Sequence, residues 1–478
     1  MPAPAELLNY IDANADAFIA RLAEAVSIPS ISGDPARRPD VIKMAHWLDA
    51  QLRAVGVTTS LVDLGTEQLD GATLPLPPAI LGRIGEDKSK KTVLIYGHFD
   101  VQPAAIGDGW NSEPFVLTEE ADGRMVGRGS SDDKGPVLGW VNVLEWHKKE
   151  GKALPVNLVF CFEGMEESGS EGLDALVERE KDGWFKDVDC VCISDNYWLN
   201  ARTPALTYGL RGICYFKLTV SGPARDLHSG VFGRTVHEPM TDLVAIMGRL
   251  VDPAGNILVP GVDDMVSVAD AEERAIYDKL DYSIADVESA VGAQIALSAD
   301  KVQVLMGRMR LPSLSLHGIE GAFSGPGAKT VIPARVAGKF SIRLVPPQTP
   351  ATVEPLVLAY VQSEFAKLGS KNAMEIESLH NGKPWVADWK HWNYSAAIRA
   401  TEQIYQQPPD LTREGGSIPV TLTFAEALGA NVLLLPMGRG DDGAHSTNEK
   451  LDRSNFIQGT KLLGSYLYEI GDVTEVGK

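Results

Sequence analysis

The sequence has no long apolar run and few cysteines, and each absence excludes a class of protein. No apolar run approaches the roughly 20 residues of a membrane-spanning helix, so we expect no membrane partner. Residues 1–9 lack a basic segment followed by an apolar one, which predicts no signal peptide. The four cysteines, Cys161, Cys190, Cys192 and Cys214, lie in strand-like apolar runs without metal-finger spacing. They are typical of buried thiols in a reducing compartment, which predicts a cytoplasmic protein without disulfides.

Basic residues are also in short supply. The chain has 44 lysines and arginines against 64 aspartates and glutamates, and its formal net charge at pH 7 is −20. This excess of negative charge argues against nucleic acid or an anionic membrane as a partner. Part of the acidity could serve to bind cations. With 478 residues, the chain is too long for one ordinary hydrophobic core, so two domains are expected.

Three glutamates follow one of the apolar runs directly. Residues 156–162 have the composition of a buried strand, and Glu163, Glu166 and Glu167 come next among glycines and serines. Adjacent like charges such as Glu166 and Glu167 repel each other, unless a cation lies between them. One carboxylate could then bind a metal while its neighbour transfers a proton. A solvated acidic loop is the alternative interpretation of this stretch alone.

Three further predicted strands also end near possible metal ligands. They are residues 92–96 followed by His98 and Asp100, residues 188–194 followed by Asp195, and residues 431–435 with His445 further along; a glycine-rich turn adds Asp132 and Asp133. Each residue alone could be an ordinary surface, core or turn residue. Because ligand sites form at the carboxyl ends of strands in open α/β sheets, their joint placement favours one site. Two histidines with several carboxylates predict a pair of divalent metals, most often zinc.

The pattern of elements changes at two points along the chain. Helical periodicity predicts an amphipathic helix over residues 5–26 and a charged helix over 270–297. From about residue 207, strands and helices mix as in a compact α+β insert with one open sheet face, and after residue 384 the first pattern returns. We therefore predict a catalytic α/β domain formed by residues 1–206 and 384–478, with the insert, residues 207–383, between them.

Five motifs resemble those of the dinuclear zinc exopeptidase family of carnosinase, carboxypeptidase G and aminoacylase. They are YGHFDVQP at 96–103, GRGSSDDKG at 127–135, EGMEESGS at 163–170, SDN at 194–196 and DGAHS at 442–446. Three more resemble the cytosolic nonspecific dipeptidases of that family: TYGLRG at 207–212, DLHSG at 226–230 and REGGSIP at 413–419. The resemblance covers nearly the whole chain. It implies a zinc-exopeptidase domain with a mixed central sheet, and a ferredoxin-like insert that acts as lid and dimerisation domain.

The resemblance also implies a role for each residue of the predicted site. His98 and Asp195 would bind one metal, Glu167 and His445 would bind the other, and Asp132 would bridge the two, with a cis peptide bond between Asp132 and Asp133. Asp100 would hold the second ring nitrogen of His98. Glu166 would be the general base that takes a proton from a water held between the metals.

Five further residues are implied in substrate binding. His228 of the insert would reach the active site of the partner subunit and stabilise the oxyanion there. Arg343 would grip the free carboxylate of the substrate, assisted by the loop that carries Gly416 and Ser417. Thr330 would be a weaker contact from the lid.

The predicted function is therefore that of a cytoplasmic, homodimeric metallopeptidase that hydrolyses dipeptides with a free C-terminal carboxylate. It would hold two divalent ions per subunit, with zinc expected first and manganese or cobalt next. An N-acyl amino acid deacylase or a carboxypeptidase with the same metals is the close alternative. A non-catalytic peptide-binding protein is an alternative of another class, and the presence of Glu166 beside every ligand argues against it.

Overall fold

The computed structural model describes residues 2–69, 71–416 and 418–474. The helices are α1 (Ala5–Ala13), α2 (Ala15–Val26), α3 (Arg38–Ala54), α4 (Lys134–Glu150), α5 (Leu173–Glu180), α6 (Ser229–Phe232), α7 (Pro239–Met247), α8 (Ala271–Lys279), α9 (Ile284–Val291), α10 (Lys301–Met309), α11 (Pro350–Lys367), α12 (Trp392–Tyr405), α13 (Pro419–Leu428) and α14 (Arg453–Gly471). The strands are β1 (Thr58–Val62), β2 (Thr66–Leu69), β3 (Ala72–Pro75), β4 (Ala79–Ile84), β5 (Thr92–His98), β6 (Thr118–Glu119), β7 (Arg124–Val126), β8 (Asn157–Glu163), β9 (Cys190–Ile193), β10 (Ala205–Leu210), β11 (Gly212–Ser221), β12 (Leu227–His228), β13 (Ser313–Glu320), β14 (Val331–Ile332), β15 (Arg335–Leu344), β16 (Ala373–Gly382), β17 (Trp385–Val386), β18 (Asp410–Glu414), β19 (Asn431–Leu434) and β20 (Lys450–Asp452).

The main sheet is mixed, with a parallel centre. Its strand order is β1-β4-β8-β5-β9-β19-β10-β17, and β18 pairs with β10. The four central strands β8, β5, β9 and β19 run parallel to one another. Antiparallel pairs flank them, β4 beside β8 and β10 beside β19. The predicted α/β fold with a mixed central sheet is confirmed.

Helices cover both faces of this sheet, so its central strands are buried on both sides. In β5, Val93 and Ile95 belong to a core shared with helices α1 to α4, α12 and α14. The alternate residues Leu94 and Tyr96 belong to a second core shared with α5 and α13. Because side chains alternate along a strand, an unbroken apolar run such as that of β5 is stable only between two layers of helices.

A second sheet, here called the insert sheet, is antiparallel and has the order β13-β15-β11-β16. Helices α7 and α11 pack on one face of it. The chain order of these elements is β-α-β-β-α-β, which is the order of the predicted ferredoxin-like insert. The other face carries half-buried residues such as Tyr215 and Lys217, and β13 is exposed over most of its length. The predicted domain bounds at residues 207 and 384 stay predictions.

The two long helices predicted from periodicity are wrong, because polar side chains interrupt them. The Asn14 side chain donates to the Tyr10 carbonyl at 2.8 Å, and the chain breaks there between α1 and α2. In the charged stretch, Ser283 and Asp286 cap α9 reciprocally, which separates it from α8, and α9 ends before Gly292 at a positive φ of 70°. In the described part of the chain, no helix is long and apolar enough to cross a membrane.

Candidate metal centre

Four neighbouring parallel strands deliver the predicted ligands to one edge of the main sheet. His98 is the last residue of β5, and Asp195 follows β9 closely. Glu166 and Glu167 lie in a 3-10 turn just after β8, and His445 lies in the loop beyond β19. Because β8, β5, β9 and β19 are adjacent and parallel, their carboxyl ends meet at the same edge. The structure thus brings together the side chains that we predicted, from their positions at strand ends, to form one site.

The imidazole ring of His98 is oriented by Asp100. The ring Nδ1 lies 3.2 Å from the Asp100 carbonyl oxygen and 3.3 Å from its Oδ1. A carbonyl oxygen only accepts, so Nδ1 carries a proton and donates it. Nε2 is the nitrogen left to bind a metal, and it lies 3.0 Å from Asp132 Oδ1 and 3.6 Å from Asp195 Oδ1. A histidine held from behind in this way is typical of metal sites.

Asp100 also fixes the turn that carries the paired glutamates. Its Oδ1 accepts from the backbone N–H of Glu166 at 3.2 Å, and its Oδ2 accepts from that of Glu167 at 3.0 Å. The Gln102 side-chain amide donates to Glu167 Oε2 at 2.8 Å. One buried carboxylate therefore sets the positions of a histidine and of both glutamates, although the sequence predicted it only as the partner of His98.

Asp132 lies between the two histidines. Its Oδ1 faces His98 Nε2, and its Oδ2 lies 3.2 Å from His445 Nε2. The same His445 nitrogen lies 2.9 Å from Glu167 Oε2. The peptide bond between Asp132 and Asp133 is cis, as the resemblance implied. One carboxylate with its two oxygens directed at two separate histidines has the geometry of a bridging ligand.

The charges at this edge fit divalent cations. Four carboxylates converge, those of Asp132, Glu166, Glu167 and Asp195, and no described lysine or arginine forms an ion pair with any of them. Burial raises the pKa of Glu166 well above its usual value, and burial raises the pKa of Asp195 to about 6. Two groups each have ligand atoms within 4.8 Å of one another: His98, Glu166 and Asp195 form one, and Asp132, Glu167 and His445 form the other. Buried carboxylates beside imidazole nitrogens, with no lysine or arginine paired to them in the described chain, are a ligand set suited to zinc-like ions.

The model of the peptidase family M20/M25/M40 matches residues 94–469 of the chain. The chain belongs to this family. The stretch that matches includes every ligand described above. The comparison therefore confirms the family predicted from the motifs, and with it the class of enzyme, a hydrolase that acts on peptides.

Relatives of known name match this M20 peptidase over nearly its whole length. The Cys-Gly metallodipeptidase dug1 of Schizosaccharomyces pombe is 55% identical, and the match covers 98% of both chains. The Beta-Ala-His dipeptidase of Rattus norvegicus is 44% identical over 97% of this chain and 95% of its own. The solved structure of the dipeptidase Dug1p of Saccharomyces cerevisiae superposes with a TM-score of 0.89 at 50% identity, covering 98% of this chain and 99% of that one. The predicted class, a metal-dependent dipeptidase, is confirmed.

A cavity of about 390 Å³ opens onto the metal centre of this M20 peptidase. Asp132, Glu166, Asp195 and His445 line it on the metal side, together with Gly416 of the predicted carboxylate loop. Ser417, predicted from the same loop, lies outside the described residues.

The other three predicted substrate residues lie in the insert and are not among the described residues that line the cavity. His228 is exposed at the start of α6, where its Nδ1 accepts from the Gly230 N–H at 3.0 Å. Thr330 is exposed too. Arg343 is half-buried on β15, and burial lowers the pKa of its guanidinium. Within one chain, none of these three residues is among the described residues that line the cavity beside the candidate metal ligands.

Three residues near the centre were missed by the sequence analysis. Arg308 of α10 and Glu414 of β18 line the cavity, and burial raises the pKa of Glu414 to about 7 despite the opposing charge of Arg308. Glu449 lies fully buried behind the Asp132 loop. Glu414 and its neighbours stood inside a quoted motif, which was a usable signal. Arg308 lies in the insert and Glu449 follows a turn, so nothing in their local pattern pointed to the site.

Proposed function

We propose that this protein hydrolyses dipeptides with a free C-terminal carboxylate at a two-metal centre. His98 and Asp195 would hold one divalent ion, Glu167 and His445 the other, and Asp132 would bridge them. The observation that carries this proposal is the position of Asp132, whose two oxygens face two different histidines. The mixed nitrogen and oxygen donors favour zinc, with manganese or cobalt as alternatives. Metal ions bound there would polarise the scissile carbonyl and make a nucleophile available at neutral pH.

Glu166 would carry the proton. Its carboxylate lies in the same cluster as the ligands, and its backbone is fixed by Asp100. From this position it would take a proton from the attacking water and pass it to the leaving amine, a role that typically contributes about 10²–10⁴-fold to the rate. The alternative for Glu166 is direct metal binding with His98 and Asp195, whose ligand atoms lie within reach.

The neighbouring glutamates allow a matched test of these roles. Glu166→Gln should keep two metals per chain and lower kcat at least about 10²-fold, since the amide cannot accept the proton. Glu167→Gln, one residue away, should instead lower the bound metal towards one per chain. Elemental analysis and turnover of a dipeptide measure both effects. Normal turnover of Glu166→Gln, or its loss of a metal, would show that Glu166 is not the base.

The substrate would be recognised by its charged ends. Besides the candidate metal ligands, the cavity is lined by the carboxylate of Glu414 and by the guanidinium of Arg308. Arg343, Gly416 and Ser417 would bind the carboxylate of the substrate once the insert closes over it. Relatives are named for Cys-Gly and for Beta-Ala-His, so dipeptides of both kinds are the first to assay.

A panel of substrates separates the dipeptidase from the close alternatives. Dipeptides should be cleaved, their C-terminal amides poorly, and N-acyl amino acids poorly. Arg343→Ala should weaken dipeptide binding by on the order of 2–5 kcal/mol if the contact is buried in the complex. Arg335→Ala, at an exposed position of the same strand, is the matched control and should leave KM unchanged. Equal cleavage of acids and amides would show that the carboxylate is not recognised.

The insert would also form a homodimer. Several large apolar side chains are exposed on it: Val231, Phe232, Val236, Leu316, Ile319 and Phe323. Exposed apolar residues that form one patch are typical of interaction surfaces, and we propose that these residues form such a patch. A twofold dimer through this surface would carry His228, which is remote from its own metal centre, towards the site of the partner subunit.

Mixing inactive variants tests whether the sites are shared. Glu166→Gln and His228→Ala chains should each be nearly inactive, since one lacks the base and the other an oxyanion donor worth about 10²–10³ in kcat. After verified subunit exchange, half of the dimers are mixed and each has one intact site, so about a quarter of wild-type activity should return. A mixture of Glu166→Gln with Glu167→Gln is the control and should stay inactive. If the first mixture also stays inactive, His228 does not act across a dimer.

The cytoplasm is the proposed location. All four cysteines are buried free thiols, Cys161, Cys190, Cys192 and Cys214, which is the pattern expected of a reducing compartment. Localisation of a tagged full-length chain in intact cells checks this point, and a secreted product would contradict it.

A further inference from the structure

Glu449 is a fully buried carboxylate behind the metal centre, four residues beyond His445. Its Oε1 accepts from the backbone N–H groups of Ser131 at 3.0 Å and Asp132 at 3.1 Å. Its Oε2 accepts from the Gly129 N–H at 2.9 Å and from Arg128 Nη1 at 2.8 Å. All four donors belong to the glycine-rich loop that presents Asp132, and three of them are backbone N–H groups, so a single side chain holds this loop at several points.

The loop of Asp132 and the loop of His445 are joined by further bonds around this carboxylate. The Gly127 N–H donates to the Glu449 carbonyl oxygen at 2.9 Å. Arg128 Nη2 donates to the Ser446 carbonyl oxygen at 3.1 Å. The Ser131 hydroxyl donates to Asp442 Oδ2 at 2.6 Å. A network of hydrogen bonds therefore joins residues 127–132 to residues 442–449, although the two segments are more than 300 positions apart in the sequence.

We propose that Glu449 is a positioning residue that holds Asp132 and His445 at the separation needed to bind two metal ions together. The proposal rests on the metal centre proposed above. The two ligands come from different loops, and the Glu449 side chain accepts from the backbone N–H of Asp132, which holds the backbone from which the Asp132 side chain extends. Both oxygens of Asp132 must point at different histidines, so a small rotation of this residue would move both metal positions.

The chemistry of the four donors requires a carboxylate at this position. A glutamine has one acceptor oxygen and one N–H₂ group, so in either orientation the amide nitrogen would face donors that the carboxylate now satisfies. A buried N–H left without an acceptor is unfavourable, and the loop would shift to find one. The shift would be transmitted to Asp132 and therefore to the metals.

A purely structural role is the competing explanation, because Arg128 and Glu449 also form a buried ion pair. Glu469 offers a matched control. It is another buried carboxylate, on α14, and it accepts from Arg399 Nε at 2.6 Å. Glu469→Gln makes the same chemical change in a glutamate that is also paired with an arginine but lies on a helix, away from the two loops that Glu449 joins.

The test is titration of the metal-free full-length protein with Co²⁺, followed by its visible absorption and by calorimetry, with thermal unfolding measured in parallel. Glu449→Gln should bind the Co²⁺ pair roughly 10–100-fold more weakly, the usual effect of changing a residue that orients metal ligands. Its cobalt spectrum should also differ from that of the wild type. Glu469→Gln should keep the wild-type affinity and spectrum, whatever its melting temperature.

Wild-type affinity and spectrum in Glu449→Gln would overturn the proposal. So would an equal loss of affinity in Glu469→Gln at a similar loss of stability, since that would make the effect one of general stability. If Glu449→Gln does not fold, Glu449→Asp keeps the charge but withdraws it by one methylene, and it decides the question by the same two readouts. If the wild type itself binds no Co²⁺, the proposed metal centre fails instead, so the two failures are distinguishable.

Discussion

Two clusters of carboxylates lie close together in this molecule and differ in where their positive charge comes from. In one, Asp441, Asp442 and Asp452 surround the ammonium of Lys450, with Nζ–oxygen distances of 2.9, 2.8 and 2.5 Å. In the other, the carboxylates of the proposed metal centre have two histidines beside them, and none of the described lysines or arginines pairs with them. Both clusters have ligand atoms near enough to hold an ion.

The difference shows why close carboxylates alone do not identify a metal site. Lys450 contacts all three aspartates and Arg439 pairs with Asp452 as well, so side chains of the protein itself offset much of this negative charge, and we interpret the cluster as structural. The metal centre has no such lysine or arginine in the described part of the chain. Its positive charge can come from protons on the histidines or from metal ions, both of which can enter and leave, and a catalytic metal site requires such exchange.

Removal of metal should have the largest effect and should act on one cluster only. Exhaustive dialysis against a chelator is expected to abolish dipeptide hydrolysis, and zinc, manganese or cobalt should restore it. The melting temperature should also fall on removal and recover on addition, because ions that bind only the folded state stabilise it. Elemental analysis must confirm that the protein is free of metal. Full activity in a metal-free preparation would contradict the proposal that metal ions neutralise the carboxylates of this site.

Removal of the covalent cation should be the next largest effect. Lys450→Met leaves Asp442 buried without a cationic partner, whereas Asp452 keeps Arg439 at 3.5 Å, and the change should lower the free energy of unfolding by about 3–5 kcal/mol. Burial raises the pKa of Asp442 to about 6 even with Lys450 opposing that shift. Without the lysine, this carboxyl should take up a proton near neutral pH, so the loss should be smaller at pH 5 than at pH 8. Urea unfolding at both pH values measures it.

Lys450→Arg is the control for that experiment, because it keeps the charge while changing the shape. It should lose less stability than Lys450→Met at pH 8. If the two variants are equally destabilised at both pH values, packing and not charge holds the structural cluster together.

A smaller effect is expected on the pH dependence of metal binding, because the metal-free site holds protons that a metal ion must displace. Hydrogen bonds to Asp132 and Glu167 raise the pKa of His445 to about 10. The metal-free ring is then protonated at pH 7, and a metal must displace that proton. The apparent metal affinity should therefore rise with pH, up to about tenfold per unit for each proton released, until pH approaches 10. Calorimetry in buffers of different ionisation enthalpy counts the protons, and a count of zero at pH 7 would be contrary to expectation.

A rise in pH has the opposite effect on the stability of the metal-free protein, which should decrease. Because its folded-state pKa is raised, the interaction of His445 with these carboxylates stabilises the metal-free protein fully below pH of about 6.5. That stabilisation should be lost as pH rises towards 10. The side chain is 59% exposed, so the contribution to stability should be modest.

The smallest effect is expected at the edge of the structural cluster. The Asp441 side chain is 59% exposed, whereas those of Asp442 and Lys450 are almost fully buried. Exposed ion pairs are worth roughly 0–1 kcal/mol, so Asp441→Asn should change the free energy of unfolding by less than about 1 kcal/mol. A larger change would mean that the cluster depends on all three aspartates equally.

The sequence was most informative where one residue lies at the end of a strongly apolar strand. His98 and Asp195 could be placed at one edge because the strands before them are unambiguous and parallel strands end together. The sequence predicted one partner for Asp100, and the structure shows three: the His98 ring and the backbone N–H groups of Glu166 and Glu167. Nearly every residue has a backbone N–H, so the sequence does not indicate which of them Asp100 will bind.

Contacts between distant parts of the chain could not be predicted in the same way. The hydrogen bonds of Glu449 join loops that only the folded chain brings together. Arg308 reaches the cavity from a helix of the insert, and no local pattern specifies where an insert will dock. The prediction of one helix over the charged stretch after residue 270 was wrong, because Ser283 and Asp286 cap a new helix there and so interrupt the helical periodicity.

The order of strands in the main sheet has a consequence for how the protein is made. Strand β19, residues Asn431–Leu434, lies between β9 and β10, which were synthesised more than 200 residues earlier. The edge of β9 that pairs with β19 therefore stays open in a nascent chain until residues 431–434 have emerged from the ribosome. Exposed edges of this kind are where chains pair wrongly with one another. The sheet edge beside the candidate metal ligands is thus among the last to be paired, and a chain that ended before β19 would leave this edge exposed.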